Sequence, residues 1–293
     1  KESLEDNRPD MKEINLEELK NIELNMLIDF AKFCDDNNFT YYLSGGTLLG
    51  AIRHRGFIPW DDDIDIMMPR EDYNKAIKTY KNDIYKIDSI LVNPNSYNRY
   101  ARINNIKTKL ESNLRQHLKE SVFIDIFPID GLAGSKFKQD VIFGIQQILI
   151  AFHLSTILKY TISSRYEDRE AGFFAWRKYL RTFIKFVMVA TIGKTNPGIW
   201  ASILNKIASR YSFYNRDYVA ILVSGPHFTK ERMPKNIYKN KVKVEFEGYK
   251  FWAPDGYDYY LKSLYGNYME LPPIDKRISH HDFKAYWKEE KDI

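Results

Sequence analysis

The stretch Trp60-Asp61-Asp62-Asp63-Ile64-Asp65-Ile66 constrains this chain more than any other. In an extended chain, residues two apart share a face. Asp63 and Asp65 therefore point one way, while Ile64 and Ile66 enter the core. Two carboxylates side by side at the edge of an apolar strand repel each other unless a cation lies between them. Mg²⁺ suits such a place, because it takes one or two carboxylates and completes its octahedron with water and phosphate oxygens. A pair of metals stabilises both the attacking and the leaving oxygen of an in-line displacement. Asp61 is carried with Asp63 and Asp65 as a candidate metal ligand. Asp62 reads as a solvated turn residue, pointing away from its neighbours. A calcium loop is set aside, because Ile66 stands where its sharp turn needs glycine and the strand continues through Met67 and Met68.

A third carboxylate is expected to complete the arrangement. Phe123-Ile124-Asp125-Ile126-Phe127 places one acid inside an apolar strand, which is costly unless the acid is paired or metal-bound. Asp125 is the candidate, and Asp130 is held in reserve. Upstream, Ser44-Gly45-Gly46-Thr47 precedes a short helix over 47–54. Glycines there let backbone N–H groups approach a phosphate, and the helix N-terminus favours the anion. Gly45, Gly46 and Thr47 are thus candidate substrate-binding residues. Arg53 and Arg55 join them, since Arg suits bidentate phosphate recognition. So do Lys276, Arg277, His280 and His281, a cationic group following Leu271-Pro272-Pro273. Adjacent His280 and His281, with the sole cysteine far away, do not make a zinc site.

The charge is segregated. Residues 136–216 hold 13 Lys and Arg against 4 Asp and Glu, a balance of +9, whereas the remainder carries −4. That argues against nucleic acid as a partner and for one surface facing something anionic. The same segment contains the apolar run Val141–Leu158, interrupted by Gln146, Gln147 and His153. Its polar interruptions favour a buried or interfacial helix over a membrane span. A lone cysteine, Cys34, and a polar opening without a secretory pattern fit a cytoplasmic setting.

Periodicity predicts a helix over 14–38, a strand at 40–43, a strand over 63–68 and a helix over 70–81. Strands follow over 84–92, 99–106 and 122–129, and a hairpin turns at Gly248. A short helix spans 257–265, and Met269 onward reads as a tail. The class is α+β. A core over 1–135 is followed by a basic helical insertion over 136–216, and a C-terminal part over 217–293 completes the site.

With these residues in view, the chain resembles the LicD family, phosphocholine transferases of bacterial cell-surface glycans related to the fukutin-related proteins. The likeness runs through Leu43-Ser44-Gly45-Gly46-Thr47-Leu48-Leu49-Gly50 and Gly56-Phe57-Ile58-Pro59-Trp60 into the aspartates. It resumes at Phe123–Pro128, Ala253–Asp258, Leu264-Tyr265-Gly266 and Leu271-Pro272-Pro273. The resemblance implies a polymerase-β-like nucleotidyltransferase mixed sheet, with Asp63, Asp65 and Asp125 as catalytic metal ligands for Mg²⁺ or Mn²⁺. It also implies CDP-choline or another CDP-alcohol as donor. The acceptor would be a sugar hydroxyl of a teichoic acid or lipopolysaccharide precursor, lipid-linked at the inner face of the cell membrane. An NTP-dependent nucleotidyltransferase is the alternative that the same aspartates would serve. Choline recognition calls for aromatic faces, and Trp60, Trp252, Tyr257, Tyr259 and Tyr260 lie in or next to the matching segments.

Overall fold

The computed structural model describes residues 11–112, 120–157, 187–277 and 283–289. In chain order the elements are β1 (Glu13–Ile14), α1 (Leu16–Asp36), β2 (Tyr42–Leu43), α2 (Gly45–His54), β3 (Asp65–Pro69), α3 (Arg70–Thr79), β4 (Tyr85–Asp88), β5 (Ala101–Asn105), β6 (Thr108–Ser112), β7 (Phe123–Gly131), α4 (Lys136–Ile157), α5 (Pro197–Ala208), β8 (Tyr218–Ala220), β9 (Met233–Pro234), β10 (Lys241–Phe246), β11 (Tyr249–Pro254), α6 (Tyr257–Tyr265) and β12 (Phe283–Trp287).

The central sheet is mixed, in the order β2-β3-β7-β5-β4, and β8 extends it from the far end of β7. β3 and β7 run parallel, whereas β2 and β5 run antiparallel to them. These strands are buried runs: Ile66, Met67, Met68, Ile124 and Ile126 are fully covered, as is Ile64 just ahead of β3. α1 begins where the side chain of Asn15 accepts the Glu18 N–H, a cap that satisfies one of the free donors of the first turn. Its Leu19, Ile22, Met26, Leu27 and Phe30 recur at helical spacing and are buried. The β10–β11 hairpin turns on Glu247 and Gly248, both at positive φ, as a two-residue turn matching the strand twist requires.

Four expectations change. The glycine pair does not precede α2 but forms its first turn. β3 begins at Asp65, so Asp61–Asp63 lie ahead of the strand, although burial already alternates there, with Asp62 and Ile64 covered. Asp62 is therefore buried and not solvated, because it turns toward α1 and not toward water. The C-terminal stretch is no tail: β12 pairs antiparallel with β1 and with β6, a strand the periodicity did not show. The basic run over 158–186 and the residues His280 and His281 lie outside the described residues.

Candidate active site

The site forms where β3, β7 and the start of α2 meet. Asp65 and Asp125 are direct partners across the parallel β3–β7 pair, so their side chains leave the sheet on one face. The backbone of Asp65 is fixed from α2: its N–H donates to Thr47 Oγ1 at 2.8 Å, and its carbonyl accepts the Ser44 N–H at 3.0 Å. Thr47, expected to bind substrate, spends its hydroxyl as an acceptor on that fixing bond.

The glycine pair lies directly against the carboxylates. A Cβ on Gly45 would stand 3.1 Å from Asp65 Oδ2, and one on Gly46 would stand 2.6 Å from Asp61 Oδ2. Gly45 also has φ +49°, a conformation that L side chains rarely adopt. The positive end of α2 thus faces two acids, a favourable placement for negative charge.

It does not compensate them fully. Burial pushes the Asp65 carboxyl well above the ordinary carboxylate range, and Asp63, Asp125 and Asp61 push it further. Glu23 of α1, a residue the sequence reading passed over, is also buried, and its Oε2 has no hydrogen-bond partner. Burial raises its carboxyl strongly, and Asp63, Asp62, Asp61 and Asp125 add to that. The counter-charge comes from Arg102, directly opposite Asp125 on β5. Its Nε donates to Asp125 Oδ1 at 2.9 Å and its Nη1 to Glu120 Oε1 at 3.1 Å, and its guanidinium lies 3.8 Å over the Phe123 ring. Burial alone would weaken the guanidinium's hold on its proton, yet Asp125 more than reverses this.

Among the described residues no three His, Cys, Asp or Glu side chains close into a ligand shell. The in-register Asp65–Asp125 pair and the space left by Gly45 and Gly46 suit an ion held by one or two carboxylates and finished by substrate oxygens and water.

The expected cations fall elsewhere in part. Arg53 donates from Nη1 to the Tyr268 carbonyl at 2.8 Å and, less closely, to that of Glu270. Arg277 donates to the Pro272 carbonyl at 2.8 Å and lies 5.5 Å over the Trp60 ring. Burial and the Arg277 charge both weaken the Arg53 guanidinium's hold on its proton, so the two cations stand near enough to repel. Arg55 is the exposed left-handed cap of α2. Lys276 ends a short 3-10 turn over Ile274–Lys276. Asp130, the reserve acid, is fully buried and gripped by Arg70 through two bonds of 2.6 and 2.7 Å. Of the aromatic candidates, Trp252 is bonded to Asp35 and covered by Lys241 and Lys243, and Tyr260 is buried behind the glycine turn. Tyr265, five residues beyond, lies in the matching Leu264-Tyr265-Gly266 but was not singled out as a site residue, because one tyrosine among 21 carries no signal of its own.

The two in-register aspartates of the parallel strand pair and the glycine-started helix thus form one acidic site. The profile described as LicD/FKTN/FKRP, nucleotidyltransferase domain, matches residues 38–158, a span holding α2, β3 and β7. The lipopolysaccharide cholinephosphotransferase LicD of Haemophilus influenzae is 28% identical over 284 residues, covering 94% of this chain and 99% of that one. An uncharacterized protein of Rickettsia typhi is 37% identical over 81 residues, 26% of either chain. One of Rickettsia prowazekii is 47% identical over 47 residues, 16% of this chain and 18% of that one. The chain is thus similar to the LicD family over residues 38–158 and to one cholinephosphotransferase along nearly its whole length.

Proposed function

We propose that this protein is a metal-dependent phosphotransferase that moves phosphocholine from CDP-choline to a sugar hydroxyl of a cell-surface glycan such as lipopolysaccharide or teichoic acid. The observation that carries the reading is the in-register pair Asp65–Asp125, with Asp65 standing against the Gly45-Gly46 turn. The full-length similarity to a lipopolysaccharide cholinephosphotransferase supports the choice of group and acceptor. The mixed sheet, with two of its acids on adjacent parallel strands, supports a polymerase-β-like nucleotidyltransferase fold.

In this reading the acceptor oxygen bonds to the phosphorus that bears choline, the bond from that phosphorus to the CMP oxygen breaks, and CMP leaves. Asp65 and Asp125, with Asp63 and Asp61 beside them, hold a divalent cation, Mg²⁺ or Mn²⁺. When bound, that ion neutralises charge on the phosphate oxygens. Arg102 holds Asp125 in its orientation through the 2.9 Å bond from Nε to Oδ1. The Gly45 and Gly46 backbone leaves room for the phosphate. Arg53 and Arg277, two guanidiniums that repel until an anion joins them, draw the donor diphosphate to the rim beside Trp60. Catalysis is then mainly positioning and electrostatic stabilisation.

The protein works at the inner face of the cell membrane, where a lipid-carried acceptor is presented. This is supported by α4, the described helix long and apolar enough to cross a membrane, of which only 28% of the most apolar stretch is buried. Incubation with Mg²⁺ and either CDP-choline, other CDP-alcohols or NTPs tests the reading. Release of CMP from CDP-choline, dependent on the metal and on a glycan acceptor, is the expected result. Release of pyrophosphate from an NTP instead would make the chain a nucleotidyltransferase and overturn the proposal.

A further inference from the structure

Helix α6 brings two phenols to the Gly45-Gly46 turn, and the molecule uses them differently. The Tyr260 hydroxyl is committed: it lies 3.1 Å from Ser44 Oγ and accepts the Gly45 N–H at 3.4 Å. Tyr260 therefore holds the turn from behind. The Tyr265 hydroxyl is not committed in this way. It stands 3.6 Å from the point that a Cβ on Gly45 would occupy, and Asp65 Oδ2 stands 3.1 Å from that same point. Gly45 keeps the point clear, and at φ +49° it is the residue suited to do so. Among the described residues the Tyr265 hydroxyl makes no hydrogen bond, neither with Asp65 nor with any neighbour. The ring is not loose: His227 packs edge-on against it, with centroids 5.4 Å apart and planes at 83°.

A phenol that is fixed in place, unbonded and beside a carboxylate across a small cleared space is suited to a ligand that fills the space. Its O–H is a donor. The neighbouring positive end of α2 and the acids beneath it require that ligand to offer oxygens to N–H and O–H groups while sharing a cation with Asp65. A phosphate ester does both.

We infer that Tyr265 is a substrate-binding residue whose hydroxyl donates to a non-bridging oxygen of the transferred phosphate. The inference rests on the phosphotransferase reading and deepens it, by assigning the recognition of the transferred phosphate to α6 as well as to α2.

The test compares Tyr265→Phe, which keeps the ring and its packing, with the wild-type protein. Three measurements are made: the melting temperature alone, its rise on adding CDP-choline with Mg²⁺ or CMP with Mg²⁺, and the steady-state kinetics. A hydrogen bond to a charged group is worth about 1.5–3 kcal/mol, or roughly 10- to 100-fold. The expected result is an unchanged melting temperature for Tyr265→Phe without ligand, a smaller rise with CDP-choline, and an unchanged rise with CMP, which lacks the transferred phosphate. kcat/KM falls about 10- to 100-fold by the same relation. A retained CDP-choline response with kcat/KM within about twofold would overturn the assignment. So would an equal loss of the CMP response, which would put the contact on the leaving half. A lower melting temperature without ligand, accounting for the loss, would make Tyr265 a packing residue. Absence of any CDP-choline response or turnover in the wild-type protein marks failure of the phosphotransferase reading itself, and the inference falls with it.

Discussion

Strand β7 carries two buried aspartates, Asp125 near its start and Asp130 near its end, and each meets an arginine. Asp130 is saturated. Both oxygens take a nitrogen of Arg70, and the third nitrogen of that guanidinium goes to Asn205 at 3.2 Å. Neither partner is exposed by more than 5%. Asp125 shares its arginine, because Arg102 divides itself between Asp125 and Glu120. It faces Asp65 in register, with Asp63 and Asp61 close by. The residues differ by an odd step along the strand and so face opposite sides of the sheet. On one side the charge is closed into a clasp between β7, α3 and α5. On the other Asp125 shares its arginine and stands against Asp65, an arrangement suited to a cation. Burial alone does not set these two carboxylates apart; the division of their counter-charge does.

Substitution tests that distinction. Asp65→Asn removes one of the mutually repelling acids, so the fold should hold or gain slightly without metal, while turnover falls by about 100- to 1,000-fold or more. Asp63→Asn should behave alike, and Asp125→Asn should lose activity and some stability, since Arg102 loses a partner. Transfer assays beside melting curves check this; near wild-type turnover in Asp65→Asn at saturating Mg²⁺ would remove the site's central residue from the chemistry. Asp130→Asn should do the reverse. Breaking a buried pair from one side costs about 3–5 kcal/mol, visible as a lower urea midpoint, whereas activity per folded molecule should be retained at low temperature. A stable but inactive Asp130→Asn would invert the comparison.

Glu231 extends the series to a buried carboxylate whose Oε2 has no partner. Burial pushes it up to about 8. The folded state then holds a proton that the unfolded chain releases above about pH 4.5, so stability is highest below that pH and falls as pH rises toward 8. The slope is at most about 1.4 kcal/mol per pH unit. Glu231→Gln should flatten it, so the variant gains on the wild type as pH rises from 5 to 8. Parallel denaturation curves at the two pH values, with no difference between the proteins, would mean that Glu231 is ionised and paired.

The acid run was legible because alternation survives the loss of strand geometry: Asp62 and Ile64 are buried between the less covered Asp61, Asp63 and Asp65, although β3 begins only at Asp65. The same alternation buried Asp62, which composition had assigned to solvent. Glu23 was hidden for a related reason. An acid on an amphipathic helix reads as part of the wet face until a neighbouring strand covers it. Asp130 and Asp125 looked alike in sequence because their partners, Arg70 and Arg102, are remote in the chain and chosen by sheet order. β12 was missed because its pairing with β1 and β6 closes over most of the chain, and a five-residue strand carries little periodicity of its own.

The smallest effect is expected far from the aspartates, on α4. Its buried face is partly polar: Gln139, Gln146 and His153 bond to the backbone oxygens of Ala133, Leu204 and Tyr97. Its outer face is apolar. Phe137, Val141, Ile145 and Ile148 recur at helical spacing, and Phe137 is 78% and Ile148 57% exposed. A helix pinned to the body by polar bonds and presenting an apolar stripe outward is built like an interfacial helix. Lys136 and Lys138 flank Phe137, and the surrounding sequence over 136–216 carries +9. Each basic residue near an anionic leaflet adds about 1 kcal/mol, a contribution that salt screens. Co-sedimentation with anionic vesicles should therefore be salt-sensitive, and Phe137→Ser with Ile148→Ser should weaken it about tenfold, each residue contributing part of its burial free energy. Transfer to a soluble, lipid-free acceptor should be unchanged in that variant, since α4 contributes nothing to the aspartate site. Equal binding to neutral vesicles would leave the stripe and discard the charge, and no binding at low salt would discard both.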